Sequence, residues 1–365
     1  MYKTYVHQQQ PEIINTNERD DTKMEKPDIL SMTLTELENI MQEINQPQYR
    51  AKQVWGWLHQ KHVQTFEQMT NLAKTMRDEL EARYRIATVS EIKKQTSKND
   101  GTQKYLFSLQ DNTLIESVLM EYNHGNTVCV STQAGCKMGC VFCASAEGGL
   151  VRNLTAGEIC AQVYAIQKSI AGRIGGVVLM GCGEPLDNFA ATIKFIELIT
   201  HPDGINIGQR HITLSTCGLV PQIMQLAELK LQITLAISLH GPTDEVRQKL
   251  MPIAKRYHLN ELIDACRKYV QITNRRLTFE YALAKGVNDA PSHAKELAKL
   301  LRGLNCHVNL IPINKARGEL SGTARKEATA FAAILQENRI QTTIRRSLGS
   351  DIDGACGQLR ANQNI

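Results

Sequence analysis

The sequence has no long apolar stretch. None of its hydrophobic runs approaches the roughly 18 residues that a membrane-spanning helix needs. The chain also begins without the basic, apolar and small-residue segments of a signal peptide. With a mean hydropathy of -0.29 and 42% hydrophobic residues, the composition is typical of a globular protein. We therefore expect a cytoplasmic protein without a membrane segment.

A disulfide framework is also missing. The ten cysteines are irregularly spaced along 365 residues, and in a cytosolic chain such cysteines are free thiols or metal ligands. The net charge of +5 is only mildly basic, so it permits a polyanionic partner without indicating one. Composition alone therefore excludes little, and the function has to be sought in motifs.

The length indicates one large domain and a smaller one, because single cores stop growing near about 250 to 300 residues. We expect a disordered polar arm at 1–28, a helical accessory domain at 29–89, a β-hairpin linker at 90–122, the main domain at 123–350 and a C-terminal segment at 351–365. In the helical domain apolar residues recur every three or four positions, and Thr33 with Glu36 forms a capping-box start.

The helical domain contains a mixed basic and aromatic stretch, "YRAKQVWGWLHQK". Its cations and aromatic rings can form a nucleic-acid surface that includes Arg50, Lys52, Lys61, Trp55 and Trp57. The alternative is an amphipathic helix whose buried stripe is Val54, Trp55 and Leu58. The sequence leaves both interpretations open.

The main domain alternates strands with helices. Six strand patterns follow one another: "TVCVST", "GGVVLMG", "HITLST", "QITLAISL", "LTFEYAL" and "CHVNLIPI". Helical patterns follow them at about 155, 190–199, 221–229, 259–270, 292–301 and 324–336. Parallel neighbouring strands require crossover helices, so this order predicts an α/β fold with a partial (β/α)6 barrel.

Unusual polar residues follow five of these strands. They are the cysteine loop after the first strand, then "GCGEP", "STCG", "SLHG" and "PIN" after the second, third, fourth and sixth. The carboxyl ends of parallel strands meet at one edge, where such folds bind ligands and carry out chemistry. The sequence therefore predicts a single site.

The cysteine loop "STQAGCKMGCVFCAS" places three thiols close together, at Cys136, Cys140 and Cys143. Four-iron clusters normally take four thiolates, so three indicate a cluster with one iron open to a ligand. A structural zinc site is the alternative, but it closes its tetrahedron with a further ligand at short spacing. No second Cys-x2-Cys or His pair is present, although Cys129 or His124 can in principle supply that ligand.

These motifs resemble a known family. The Cys-x3-Cys-x2-Cys pattern with Phe142 before its last cysteine, and the later "GEP", resemble the radical S-adenosylmethionine (SAM) superfamily. Further segments resemble, in order and spacing, the dual-specificity 23S rRNA and tRNA adenine-C2 methyltransferases: "CVSTQAGC", "VRNLTAGEI", "GCGEPLDN", "AISLHGP", "KLMPI", "HVNLIPIN" and "DIDGACGQL". The resemblance covers nearly all of the chain after residue 30 and implies a radical-SAM partial barrel with a helical RNA-binding domain.

The resemblance implies two cofactors, a 4Fe-4S cluster and SAM. Cys136, Cys140 and Cys143 match the cluster ligands, and the open iron would chelate the amino and carboxylate groups of SAM. An electron from the cluster would then split SAM into a 5′-deoxyadenosyl radical. The positions that match SAM-binding residues are Gly183, Glu184, Ser215, Ser238, Leu239, His240 and Asn314.

The resemblance also implies the catalytic residues. Cys356 matches a cysteine that one SAM molecule methylates, and a radical from a second SAM would convert that methyl group into a methylene that adds to C2 of adenine. Cys129 matches the thiol that resolves the protein–RNA adduct by forming a disulfide with Cys356. Glu116 matches the proton acceptor.

The implied partners are 23S rRNA and tRNA, modified at adenine 2503 and adenine 37, and an electron donor such as flavodoxin or ferredoxin; the enzyme would act as a monomer. Arg345 and Arg346 are candidate phosphate contacts.

Two alternative functions remain: an adenine-C8 methyltransferase, against which Pro185 argues, and a non-enzymatic iron-sulfur RNA-binding protein. Among the other thiols, Cys160, Cys266 and Cys306 are expected to be buried apolar residues, and Cys182 adds a thiol beside the predicted SAM site.

Overall fold

The computed structural model describes residues 26–123, 125–313, 320–355 and 357–359. The predicted arm lies outside this range up to residue 25, as do Asn314 and Cys356. Asp28, which we assigned to the arm, is instead buried, and its carboxylate accepts the backbone N–H groups of Leu30 and Ala87, both at 3.0 Å. The folded part therefore includes the last residues of the predicted arm.

The helical domain consists of α1 (Leu34–Glu43), α2 (Tyr49–His59) and α3 (Lys74–Arg83). The predicted capping box of α1 is confirmed, because the Thr33 hydroxyl accepts from the Glu36 N–H and the Glu36 carboxylate accepts from the Thr33 N–H. The buried stripe of α2 is Val54, Trp55 and Leu58, as the amphipathic interpretation predicts. Trp57 is half-buried, with the Lys61 ammonium 3.6 Å from its ring centre.

Three antiparallel strands follow, β1 (Ser90–Thr96), β2 (Gln103–Ser108) and β3 (Leu114–Tyr122). The β2–β3 hairpin was predicted, but β1 was not, and the segment is not a separate linker. β3 pairs with β4 (Gly125–Cys129), so all three strands extend the main sheet. β1 was missed because it is a polar edge strand, "SEIKKQT", with six of its seven residues exposed.

The main sheet continues from β4 through parallel strands in the order β7 (Ile174–Leu179), β8 (Ile212–Thr216), β9 (Thr234–Ser238), β10 (Leu277–Leu283), β11 (Cys306–Pro312) and β12 (Gln341–Ile344). The short pair β5 (Gln133–Gly135) and β6 (Leu150–Asn153) forms its own sheet. All six predicted strands of the barrel are confirmed. The seventh, β12, was not predicted, because four residues are too few to show a period.

The predicted helices of this domain are α4 (Ala156–Ser169), α5 (Phe189–Thr200), α6 (Val220–Glu228), α8 (Leu259–Thr273), α9 (Pro291–Leu300) and α10 (Arg325–Glu337). A further short helix, α7 (Asp244–Leu250), was not predicted. No helix among the residues that the structure describes is long and apolar enough to cross a membrane.

The helical domain packs directly against the barrel helices, and one hydrophobic core runs through both. The indole Nε1 of Trp55 donates to the Asp203 carbonyl at 2.7 Å, and His59 Nδ1 lies 2.8 Å from the Tyr164 hydroxyl. The helical domain is therefore held against the same barrel whose strand ends form the site.

Candidate active site

The predicted strand-end residues meet at one open cavity of about 1050 Å³. Its walls include all three cysteines of the loop and residues at or just after the carboxyl ends of β7, β8 and β9: Cys136, Cys140, Cys143, Gly183, Glu184, Ser215, Ser238 and His240. The prediction that several strand ends form one site therefore agrees with this geometry.

Backbone hydrogen bonds fix the cysteine loop at both ends. The Cys136 N–H donates to the Gly149 carbonyl at 2.9 Å, and the Cys143 N–H donates to the Cys140 carbonyl at 3.1 Å. Burial raises the pKa of the Cys136 thiol to about 12 and raises the pKa of Cys140 further. A bound positive group would reverse this effect, because thiolates are the form that binds iron.

The donor set fits a 4Fe-4S cluster. Three thiols line one cavity wall, and each thiolate of such a cluster binds a different iron, so the sulfurs need not converge on one point. A tetrahedral zinc site does need that convergence. Across the described ranges, no three His, Cys, Asp or Glu side chains are grouped to hold a single metal ion.

The "GEP" loop approaches the cysteine loop very closely. Gly183 has φ +106°, and a Cβ there would lie 2.6 Å from the Cβ of Gln133, so only glycine fits. The Glu184 N–H donates to Gln133 Oε1 at 2.8 Å, and the Glu184 carboxylate accepts the N–H of Cys217 at 2.7 Å. Burial raises the pKa of Glu184 despite these hydrogen bonds. Glu184 thus joins the loops that follow β7 and β8.

His240 is buried at the cavity wall in a left-handed conformation, with φ +56°. Its Nδ1 accepts the Ala282 N–H at 2.9 Å, which places the proton of the neutral ring on Nε2. Burial lowers the pKa of His240 to about 3, so the ring stays neutral. Phe142 of the cysteine loop meets this ring edge-on at 4.9 Å.

Leu239, by contrast, directs its side chain into the core. Its N–H donates to the Glu280 carbonyl at 3.0 Å, so the cavity is lined by its neighbours Ser238 and His240 rather than by Leu239 itself.

Cys129 lies at a second cavity, of about 560 Å³. Its other walls include Val118, Met120, Arg345 and Leu359, and it shares Met180, Ile311 and Leu359 with the first cavity. The two cavities therefore adjoin at these three residues.

Glu116 is fully buried on β3, the strand that also carries Val118 and Met120, and it forms an ion pair. Its Oε1 lies 3.0 Å from the ammonium of Lys104, whose side chain is also buried. The same ammonium donates to the Asp353 carbonyl at 3.3 Å. Lys104 therefore ties Glu116 to the C-terminal segment that carries Cys356.

The residues next to Cys356 are held against the cysteine loop. The Gly357 carbonyl accepts the Ala144 N–H at 2.8 Å, and the Leu359 carbonyl accepts the Ser145 hydroxyl at 2.7 Å. Ala144 and Ser145 follow Cys143 directly. The structure thus places the residues that follow Cys356 next to the end of the cysteine loop.

Sequence reasoning missed three buried charged residues around the site. Lys104 and Arg247 lie in segments whose pattern resembles an ordinary strand and a solvated helix. Glu280 had a visible signal, because it is a lone charge inside the apolar strand "LTFEYAL". It lines the first cavity and accepts the Asn309 amide at 2.9 Å, and burial raises its pKa.

The remaining thiols agree with their predicted burial in part. Cys160 and Cys266 are fully buried, whereas Cys306 is half-buried. Cys182 is also buried, which raises the pKa of its thiol to about 11.

Known proteins resemble this chain over most of its length. Residues 27–86 match the model of the ribosomal RNA large subunit methyltransferase N-terminal domain, and residues 130–301 match the radical SAM superfamily. A probable dual-specificity RNA methyltransferase RlmN of Clostridium novyi is 53% identical over 92% of this chain and 98% of its own. The corresponding protein of Geobacillus kaustophilus is 50% identical over 94% of this chain and 95% of its own.

A solved structure agrees with these relatives. The radical SAM methyltransferase from Sphaerobacter thermophilus superposes with a TM-score of 0.88 at 43% identity, covering 92% of this chain and all of that one. The expected family and the radical-SAM fold are therefore confirmed. The chain belongs to the RlmN family of radical SAM methyltransferases.

Proposed function

We propose that this protein methylates C2 of adenine 2503 in 23S rRNA, at the peptidyl-transferase centre, and of adenine 37 in tRNA. The observation that carries the proposal is the adjoining pair of cavities. One is walled by the three clustered cysteines, and the other by Cys129 and by Ala355, the residue before Cys356. The residues on either side of Cys356 thus line different cavities, Ala355 the second and Gly357 the first.

The cofactor sites follow the same geometry. We assign the 4Fe-4S cluster to Cys136, Cys140 and Cys143, and SAM to the strand-end positions Gly183, Glu184, Ser215, Ser238, Leu239, His240 and Asn314. Leu239 would contact SAM through its backbone atoms, because its side chain is in the core. When bound, the cluster supplies the electron that converts SAM into a radical source, and each methylation uses two SAM molecules.

The chain's own residues supply the remaining steps. The Cys356 thiolate takes the methyl group by displacement, and the same sulfur later holds the carbon that joins C2. Glu116 accepts the proton that leaves C2, and Lys104, whose ammonium lies 3.0 Å from its carboxylate, holds that carboxylate in place. The odd-electron adduct also gives up one electron, for which the oxidised cluster would be the acceptor. Attack of the Cys129 thiolate on the Cys356 sulfur then breaks the sulfur–carbon bond, the released carbon takes up a proton to become the methyl group, and a Cys129–Cys356 disulfide is left.

The protein therefore needs electrons for two purposes, to reduce the cluster and to reduce the disulfide. A disulfide has to be reduced before the next cycle, which suits the cytoplasm. We propose that a flavodoxin or ferredoxin donates electrons to the cluster and that the protein acts as a monomer. Lys52 of α2 and Lys61, just after α2, would be among its contacts to RNA phosphates. Arg50 also has a structural task, since it donates to the Asn71 carbonyl at 3.3 Å.

The test is mass spectrometry of nucleosides from unmodified 23S rRNA and tRNA, after anaerobic incubation with cluster-reconstituted protein, SAM and a reductant. We expect 2-methyladenosine from the wild type and from the control Cys306→Ala, and none from Cys356→Ala. Appearance of 8-methyladenosine instead would assign the protein to the C8 methyltransferases. If neither nucleoside forms and Cys356→Ala traps as much RNA as the wild type, the proposal is wrong.

A further inference from the structure

Arg247 is the largest of the fully buried side chains. Burial of a guanidinium is strongly unfavourable unless an anion accompanies it. Among the residues that the structure describes, no carboxylate lies within 4.0 Å of this guanidinium. Asp244 is one turn earlier on α7, but its oxygens accept the Leu259 N–H at 2.8 Å and face His258 Nδ1 at 3.2 Å. The positive charge is therefore left without a direct ionic partner.

The guanidinium instead donates to three backbone carbonyls, those of Cys217 at 2.7 Å, Leu239 at 3.2 Å and Tyr257 at 3.4 Å. The first two belong to the loops that follow β8 and β9. These contacts satisfy the N–H groups of Arg247 and hold both loops in place. They do not neutralise the charge, because a carbonyl oxygen is only a dipole.

The helix that carries Arg247 packs against the cysteine loop. The Val141 N–H donates to the carbonyl of Leu250, the last residue of α7, at 3.0 Å. On the next turn of chain, Pro252 lies 3.5 Å from where a Cβ of Gly139 would be. Cys217, whose carbonyl accepts from the guanidinium, lines the same cavity as the three proposed cluster ligands, so the uncompensated charge lies at the edge of the proposed cluster site.

We propose that the 4Fe-4S cluster is the counter-ion of Arg247 and that Arg247 raises the reduction potential of the cluster. This inference rests on the cluster assignment made above, but not on the identity of the RNA. A 4Fe-4S cluster with three thiolates is negatively charged, and its negative charge grows by one unit when it accepts one electron. A fixed buried cation stabilises the reduced state more than the oxidised one, and low polarity around it strengthens the effect. Arg247 is a positioning residue that makes reduction of the cluster easier.

The experiment is a redox titration of the full-length reconstituted protein, followed by electron paramagnetic resonance without SAM or RNA. In Arg247→Met, the ratio of reduced to oxidised cluster at a fixed potential should fall about tenfold, which is ~59 mV for one electron. Arg247→Lys keeps the charge and should stay close to the wild type. The control Arg256→Gln removes the same charge from an exposed position nearby, and solvent should leave its midpoint unchanged.

Iron content and melting temperature separate the possible failures. If the wild type binds no cluster, the cluster assignment itself is wrong. If Arg247→Met holds a full cluster at the wild-type midpoint, or if Arg247→Lys shifts as far as Arg247→Met, the electrostatic role is overturned. Arg247→Gln, which retains an amide donor for the Cys217 carbonyl, replaces Arg247→Met if that variant is unstable. If neither neutral variant folds, Arg247 serves the fold alone and the inference is withdrawn.

Discussion

At the scale of single residues, the buried pair of Lys104 and Glu116 makes a sharp prediction. Both side chains are at most 5% exposed, so removal of one charge takes away the ion-pair partner of the other in a site of low polarity. We expect Lys104→Met to destabilise the protein by about 3 kcal/mol. The double variant Lys104→Met/Glu116→Leu should recover most of that loss, because it buries no lone charge. The midpoints of urea unfolding of the wild type, both single variants and the double variant measure this.

The same variants separate a structural role from a positioning role. Lys104→Met should lower the rate of methyl transfer to RNA by at least about tenfold, a fraction of the ~100-fold or more that a general base contributes. Methylation of Cys356 does not remove a proton from adenine, so the rate of that reaction should not change. If Lys104→Met slows both reactions equally, Lys104 does not act through Glu116.

At the scale of elements, the C-terminal segment is attached to the barrel through Leu359. Its side chain is buried in a small cluster with Val118, Met120 and Cys129. We expect Leu359→Ala to cost about 2 to 3 kcal/mol of local stability and to release the segment. Amide hydrogen exchange should then rise in 350–359 and at Ala144, whose N–H bonds to the Gly357 carbonyl.

Leu229→Ala is the matched control, because Leu229 is 44% exposed at the end of α6. It should leave exchange in the C-terminal segment unchanged. Equal protection of this segment in Leu359→Ala and the wild type would show that Leu359 does not anchor it.

The strands and helices also show which parts of the fold could be predicted from the sequence. Six barrel strands and their six helices were predictable because each repeats apolar residues with a clear period over five or more positions. β1, β12 and α7 were not: β1 is exposed at an edge, β12 has four residues, and α7 has seven. The strand-end site was predictable from topology. The roles of Arg247 and Lys104 were not, since burial of a charge depends on which loops pack over it.

At the scale of the whole molecule, docking of the helical domain onto the barrel depends on neutral histidines. His59 is fully buried between Trp55 and Tyr164, with ring centres 4.0 Å and 6.0 Å away, and its Nε2 has no hydrogen-bond partner. Burial lowers the pKa of His59 to about 3, and that of His62 to about 4. The folded state therefore disfavours the protonated rings, whereas the unfolded state protonates them near pH 6.5.

The free energy of unfolding should consequently have its full value above pH 6.5 and should fall as the pH decreases from 6.5 towards 3. Between pH 7 and pH 5, His59 alone should account for a loss of about 2 kcal/mol, because each pH unit in this window costs about 1.4 kcal/mol per ring. The chain's two tryptophans, Trp55 and Trp57, both lie in α2, so their fluorescence reports unfolding at this contact.

Urea unfolding followed by tryptophan fluorescence at pH 7 and pH 5 tests the assignment. In His59→Gln the difference between the two pH values should shrink by about 2 kcal/mol, because this side chain no longer gains a proton on unfolding. The control His211→Gln alters an exposed ring and should keep the wild-type difference, since both states leave that position in water. If His59→Gln retains the full wild-type difference, other groups cause the acid sensitivity. If the loss is the predicted one, a buried neutral ring makes the attachment of the helical domain to the barrel depend on pH.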